Sequence, residues 1–263
     1  MKIASVEITH PEKILFPKKK ITKGQVARYY ESIADKMLPF LKDRPLSLVR
    51  FPSGIKNKGF FQKNAADYFP DFIKRVEIET EEGTNIQVVC NNKKSLIYLA
   101  NQNTIEFHTW LSKKDILRKP DKIVFDLDPP KNSFERVKAG AGILKEYLSN
   151  KNHDPFLMTT GKNGLHVYYS TSRRKDFDKV KEEVREYAEE LVQLYPDLFT
   201  TNIRKNKRKG KIFLDYLRNA YAQTSVCPYS LRANEAAGIA TPLAWDDLAA
   251  LSAADSFQLP VSK

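Results

Sequence analysis

The chain has 263 residues, 41% hydrophobic and 11% aromatic, enough to bury a full core, which sets aside disordered, collagen-like and small disulfide-stapled classes. Its formal net charge of +12 favours a polyanionic partner, because clustered Lys and Arg displace counterions from phosphate backbones. No apolar run approaches the ~20 residues that span a bilayer, and the first ten residues lack the apolar core of a signal peptide, so a cytoplasmic protein with no membrane partner is expected. Cys90 and Cys227 have no metal-type spacing and are expected to be reduced thiols. Without a Gly/Ser- or Pro-rich linker, a single domain over 1–263 is expected.

Thr22-Lys23-Gly24-Gln25 has the spacing of a capping box. Val26, Tyr29, Ile33 and Met37 then recur at helical intervals, which predicts an amphipathic helix up to Pro39. The runs 45–51, 86–90 and 105–110 are short, β-prone and bounded by turn residues, and read as strands. A further strand over 122–128 stops at Pro129-Pro130, and Ser133 is placed to cap a helix carrying Val137, Ala141, Leu144 and Leu148. Strands 156–159 and 164–170 flank the turn-rich connector 160–163 and suit a hairpin. Asp176 opens a helix with the stripe Phe177, Val180, Val184, Tyr187, Leu191 and Tyr195, and 212–216 is the last clear strand. Strands and helices alternate irregularly, so a mixed sheet of the α+β class is expected rather than a doubly wound parallel fold.

Along 122–128 side chains alternate, which places Asp126 and Asp128 on one face and Phe125 and Leu127 on the other. Neighbouring carboxylates repel unless protons or cations intervene, and hard oxygen ligands suit Mg²⁺ or Mn²⁺. The plainer account is a strand end with two solvated acids. Asp215, an acid inside the apolar run 212–216, is the candidate third ligand; a salt bridge to Arg218 is its structural alternative. Two metals held by three such acids would activate a primer 3′-hydroxyl and stabilise the leaving pyrophosphate.

The segment from Thr159 to His166 offers hydroxyls, loop amides, Lys162 and an imidazole within eight residues, a candidate triphosphate cradle whose plainer account is an ordinary hairpin with one surface histidine. The basic run 204–211 precedes the Asp215 strand, so Arg208 is expected to meet phosphate, and Arg218 and Arg232 suit bidentate phosphate contacts. Lys13, Lys18, Lys19, Lys20 and Lys23 crowd the entry to the first helix. Phe60-Phe61, between Gly59 and Gln62-Lys63, reads either as core or as a base-stacking platform.

Lys13-Ile-Leu-Phe-Pro17, Gly59-Phe-Phe-Gln-Lys63, Glu106-Phe-His-Thr-Trp110, Val124-Phe-Asp-Leu-Asp-Pro129, Thr160-Gly-Lys-Asn-Gly-Leu-His166, Pro228-Tyr-Ser-Leu-Arg232 and Thr241-Pro-Leu-Ala-Trp245 together resemble the polymerase domain of bacterial ligase D and its stand-alone archaeal relatives. This is a branch of the archaeo-eukaryotic primase superfamily, and the resemblance covers nearly the whole chain. It implies a mixed-sheet catalytic core flanked by helices, with a DNA-contacting part over about 1–120 and a catalytic part over about 121–263. It implies that Asp126, Asp128 and Asp215 are catalytic and bind two Mn²⁺ or Mg²⁺ ions. Thr160, Lys162, His166, Arg208, Arg218 and Arg232 would line the nucleotide pocket, with Lys63 at its border. Lys13 and Lys23 would clasp a DNA 5′-phosphate, Phe60 or Phe61 would stack on the template base, and His108 would lie near the template path. The implied activity is template-dependent addition of NTPs, in preference to dNTPs, to primer 3′ ends at gaps, overhangs and double-strand breaks in non-homologous end joining. Ku and an ATP-dependent DNA ligase are the implied partners, and the nucleoid the implied location. Thr160 stands where relatives often have serine, and Arg218 where they vary.

Two rival readings remain open at this level. One is a non-catalytic nucleic-acid-binding module that keeps the basic surface. The other is a glycosyltransferase using Asp126-Leu-Asp128 on a metal-bound nucleotide sugar, which leaves Lys13, Lys23, Phe60 and Phe61 unexplained.

Overall fold

The structure is a computed structural model that describes residues 1–80, 83–130 and 133–260. Two short antiparallel pairs, β1 (Lys2–Ile3) with β2 (Val6–Glu7) and β3 (Ile14–Phe16) with β4 (Ile21–Thr22), lead into α1 (Lys23–Leu41). The capping box forms as the spacing predicts: Gln25 N–H donates to Thr22 Oγ1, and Thr22 N–H donates to Gln25 Oε1. Helix α1 does not stop at Pro39 but continues to Leu41. Pro39 and Asp35 are both exposed, so water can satisfy the Asp35 carbonyl that loses its partner, while Leu41 extends the buried stripe of Val26, Tyr30, Ala34 and Met37.

The chain then forms β5 (Pro45–Arg50), β6 (Phe60–Gln62), β7 (Lys74–Thr80), β8 (Gly83–Val89), α2 (Lys93–Asn101) and β9 (Thr104–Trp110). It continues through β10 (Lys122–Asp128), α3 (Phe134–Asn150), β11 (Phe156–Thr159), β12 (Leu165–Ser170), α4 (Phe177–Leu194), β13 (Phe199–Thr200) and β14 (Ile212–Asp215), and ends with β15 (Thr224–Val226) and β16 (Pro242–Leu243). Two six-stranded sheets result: β15-β9-β5-β8-β7, with β6 also on β5, and β13-β14-β10-β12-β11-β16. The late strand β15 thus returns to the sheet built by the first half of the chain. Among the described residues every strand pairing is antiparallel except β13 with β14.

Helices α1 and α2 share one core with Leu46, Leu48, Ile105 and Phe107; α3 and α4 share another with Phe125, Leu127, Val167, Ile212 and Leu214. This is the expected α+β class; the second sheet is the mixed one, and helices flank both sheets where one was expected. Ser133 occupies the N-cap of α3 but its side chain makes no capping hydrogen bond. In α4 the buried stripe runs through Val180, Val184, Ala188 and Leu191; Tyr187 is only half-buried and Tyr195 lies exposed at the C-cap. The two sheets are tied by Arg44, whose guanidinium donates twice to Asp121, at 2.6 and 2.8 Å, and by Trp110 against Tyr221. Cys90 and Cys227 are buried free thiols. Among the described residues no helix is long and apolar enough to cross a membrane.

Candidate active site

Strand β10 lies inside the second sheet, between β12 and β14. Asp126 pairs directly with His166 on β12 and with Asp215 on β14. The three residues therefore form one row across three strands, and Asp128, two residues further on, shares the face. Phe125 and Leu127 point into the core behind the row. A one-residue slip of β10 would bury the acids and expose these apolar side chains, so the hydrophobic pattern fixes the row. His166 is no surface histidine: it is 3% exposed, its Nε2 lies 3.5 Å from Asp126 Oδ2, and its Nδ1 has no hydrogen-bond partner.

Cations stand against the acids. Arg218 sits on the 3-10 turn Leu217–Asn219, which Asn219 staples to β10 by accepting from Val124 N–H at 2.9 Å and donating to Val124 O at 2.7 Å. From there Arg218 Nε lies 3.6 Å from Asp126 Oδ2 and 3.8 Å from Asp215 Oδ2, so the salt bridge expected as the alternative for Asp215 is present. Arg208 Nη1 lies 3.4 Å from Asp128 Oδ2. Burial pushes the Asp126 carboxyl up, but His166, Arg218 and Arg232 outweigh it and hold it below the ordinary carboxylate range. Asp128 is raised by burial and by the Asp126 charge, against Arg208; Asp215 is raised by burial, against the Leu217 N–H and Arg218. Crowded carboxylates of this kind gain from a hard divalent cation, so the donor chemistry fits one. Among the described residues no group of three such side chains closes into a ready-made cage; the two guanidiniums neutralise the row instead.

Facing the row is the β11–β12 connector. Gly161 has φ +67°, and a Cβ there would meet the Ile239 carbonyl carbon at 2.7 Å; a Cβ at Gly164 would meet Leu127 O at 2.4 Å. The Thr160 hydroxyl donates to Gly164 O at 3.0 Å and accepts from Gly164 N–H at 3.1 Å, which closes the loop. Arg232 reaches across to donate to Thr160 O. A cleft of 180 Å³ results, lined from the second sheet by Asp126, Asp128 and His166, from the β11–β12 connector by Thr160 and Lys162, from the first sheet by His108 and Ser225, and by Arg218 and Arg232. It shares Asp128 and Lys162 with an adjoining groove of 1150 Å³ that carries Arg136, Lys205, Arg208, Lys209 and Lys211.

The other expected residues lie outside this cleft. Lys63 is exposed just beyond β6 and does not line it, because β6 pairs with β5 rather than with β9, which carries His108. Phe60 and Phe61 are 46% and 63% exposed, so neither is a core residue; Phe61 lies 5.8 Å from the His108 ring and Phe60 carries the Arg50 guanidinium at 5.5 Å. Lys13 and Lys23 come together where Lys23 N–H donates to Lys13 O. Lys23 is buried, and that burial, with the charges of Lys13 and Arg50, lowers its ammonium to about 8. Glu106 and Asn219 are site residues that no local sequence pattern marks as such. Glu106 lies in the alternating strand β9, where the sequence offers only an acid on its polar face, yet it is 3% exposed.

The family model described as the primase-polymerase domain of LigD matches residues 22–262. The chain is 34% identical over 245 residues to the bifunctional non-homologous end joining protein LigD of Bacillus subtilis, and 32% identical over 247 residues to the multifunctional LigD of Mycolicibacterium smegmatis. Those matches cover 92% and 93% of this chain but only 39% and 32% of the relatives, so the chain spans well under half of their length. Among solved structures, the polymerase domain of Mycobacterium tuberculosis ligase D in complex with DNA matches with a TM-score of 0.91 at 27% identity, over 97% of this chain and 91% of that one. Fold and site thus define a nucleotidyltransferase of the primase-polymerase class. The chain belongs to the LigD primase-polymerase domain family.

Proposed function

We propose that this protein is a template-dependent polymerase that adds nucleotides to primer 3′ ends at gaps and breaks in end joining, with two Mn²⁺ or Mg²⁺ ions held by Asp126, Asp128 and Asp215. The observation that carries the reading is the direct pairing of Asp126 with Asp215 beside Asp128 on one sheet face. Bound there, the ions would polarise the primer hydroxyl and neutralise the leaving pyrophosphate. The side chains do the positioning. Lys162 and Arg232 reach the triphosphate from the cleft and Arg208 from the adjoining groove. Arg218, which bridges two acids, turns to phosphate when cations take its place. The unpartnered Nδ1 of His166 is available to the nucleotide, and the 160–164 loop supplies backbone N–H groups.

Lys13 and Lys23 clasp the 5′-phosphate across the gap, and Phe61, exposed beside His108, stacks on the template base. Residues 1–263 act as one unit, a reading supported by the lining of the cleft from both sheets. The preference for NTPs over dNTPs, the partnership with Ku and an ATP-dependent ligase, and a cytoplasmic, nucleoid-associated location rest on the family. The relatives named for end joining and the neighbour solved on DNA support the repair setting alone.

The test is extension of a labelled primer across a short gap bearing a 5′-phosphate, with each NTP and dNTP in Mn²⁺ and in Mg²⁺. Templated addition with ribonucleotides ahead is expected. Tight binding with no addition in either metal would leave the binding module standing, and template-independent turnover of a nucleotide sugar would point to the glycosyltransferase.

A further inference from the structure

Between the two sheets, one buried carboxylate gathers three of the cleft's donors, His108, Lys162 and Arg232. Glu106 Oε1 accepts from the Ala233 N–H at 2.9 Å and pairs with Lys162 Nζ at 2.8 Å. Glu106 Oε2 lies 3.0 Å from His108 Nε2 and 3.3 Å from Arg232 Nε, the latter off the hydrogen-bond line and so an ion pair. Burial pushes this carboxyl up, but the bond from His108 and the charges of Arg232 and Lys162 pull it well below the ordinary range. Burial lowers the His108 imidazole and so favours its neutral form, and because the ionised Glu106 carboxylate can only accept, the proton of that form sits on Nε2, facing it. Its Nδ1 is then a bare acceptor on a ring that lines the cleft.

The three cationic or imidazole partners are not equally fixed. The side chains of Arg232 and His108 are 10% and 12% exposed, whereas that of Lys162 is 38% exposed and also borders the adjoining groove. An incoming polyphosphate can therefore take the ammonium of Lys162 and leave the other two in place.

We propose that Glu106 is the positioning residue of the nucleotide cleft: it fixes the Nε2–H tautomer of His108 and the aim of Arg232, and holds Lys162 until a nucleotide phosphate takes that ammonium over. The inference rests on the polymerase reading. Glu106 itself touches no reacting group.

The variant to make is Glu106→Gln, which keeps shape and one acceptor but replaces the other with an NH₂ that repels its donors. Two readouts apply. Long-range ¹H–¹⁵N spectra, with His108 identified through His108→Gln, report the tautomer without any turnover. Primer extension reports kcat and KM for the nucleotide. The expected result is loss of the pure Nε2–H form, and a kcat at least about 10-fold lower with KM within about threefold, because misaimed donors cost the transition state while Lys162 no longer has to leave a carboxylate. A merely structural role would lower the melting temperature and leave the tautomer and that split untouched. An unchanged tautomer together with unchanged kcat overturns the proposal. Absence of extension by the wild-type protein would instead overturn the polymerase reading, since the tautomer would still be measurable.

Discussion

Asp126, Asp215 and His166 are held by the pairing of three adjacent strands, whereas Lys13, Lys23, Phe60 and Phe61 stand on short pairs, a helix start and a three-residue strand. In the first region the aim of each side chain is coupled to the core: Phe125 and Leu127 cannot leave it without turning the acids inward. In the second, the two phenylalanines stand exposed, Phe61 beside His108 and Phe60 under Arg50, with no core packing to fix their aim. Register-held groups suit chemistry that tolerates little displacement, and edge-held groups suit recognition of a flexible strand.

The comparison breaks most sharply at Asp215. Asp215→Ala is expected to lower primer extension at least about 100-fold while leaving affinity for gapped DNA within about threefold, because phosphate contacts come from lysines and arginines. Steady-state extension and a fluorescence binding titration check this pair of outcomes; extension retained in the variant would remove Asp215 from the site. On the recognition side, Phe61→Ala is expected to weaken binding of a templating overhang about 10-fold, within the usual range of base–aromatic stacking. Phe60→Ala should do less, since that ring is also engaged with Arg50. Equal losses, or none, would mean that the template follows another path.

A smaller effect belongs to the lysines. Lys13→Ala with Lys23→Ala should abolish a several-fold preference for 5′-phosphorylated gaps and spare basal extension. The same preference should fade in the wild type as pH rises through about 8, because the buried Lys23 ammonium, lowered to about 8, loses its proton there. A bound phosphate pulls that value upward, so the midpoint falls at or above 8. A ratio of phosphorylated to unphosphorylated rates that stays flat from pH 7 to 10 would contradict the assignment.

The smallest expected change sharpens the coupling of register to core. In α3, Gly142 faces open space, whereas a Cβ at Gly140 would lie 2.7 Å from Ile212 Cδ1 on the strand of Asp215. Gly142→Ala should stabilise the fold by about 0.5–1 kcal/mol in urea unfolding. Gly140→Ala should forgo that gain and lower activity through β14, and equal stabilisation by both would loosen the proposed link.

Much of the register-held region was legible in the sequence, for a physical reason. Period-two alternation in 122–128 and an acid inside 212–216 are local signals, and they located β10, β14 and the acids they carry. That Asp126 would face both Asp215 and His166 is a pairing across more than 35 residues, which no local pattern encodes. Pro39 misled because its cost depends on whether the Asp35 carbonyl reaches water, a tertiary fact. Helix α2 escaped although Asn92 caps it by accepting from Ser95 N–H, because its nine residues give little periodicity. Glu106 was visible as an acid in a β-prone run, but beyond His108 on its own strand its partners come from two distant segments, Lys162 and Arg232-Ala233.

The most direct test of the central claim measures the metal itself. Mn²⁺ titrated into the protein with a non-hydrolysable NTP, followed by electron paramagnetic resonance, is expected to show two bound ions in the wild type and at most one in Asp126→Ala or Asp215→Ala. Unchanged binding in both variants would contradict the assignment of the carboxylate row as the metal site.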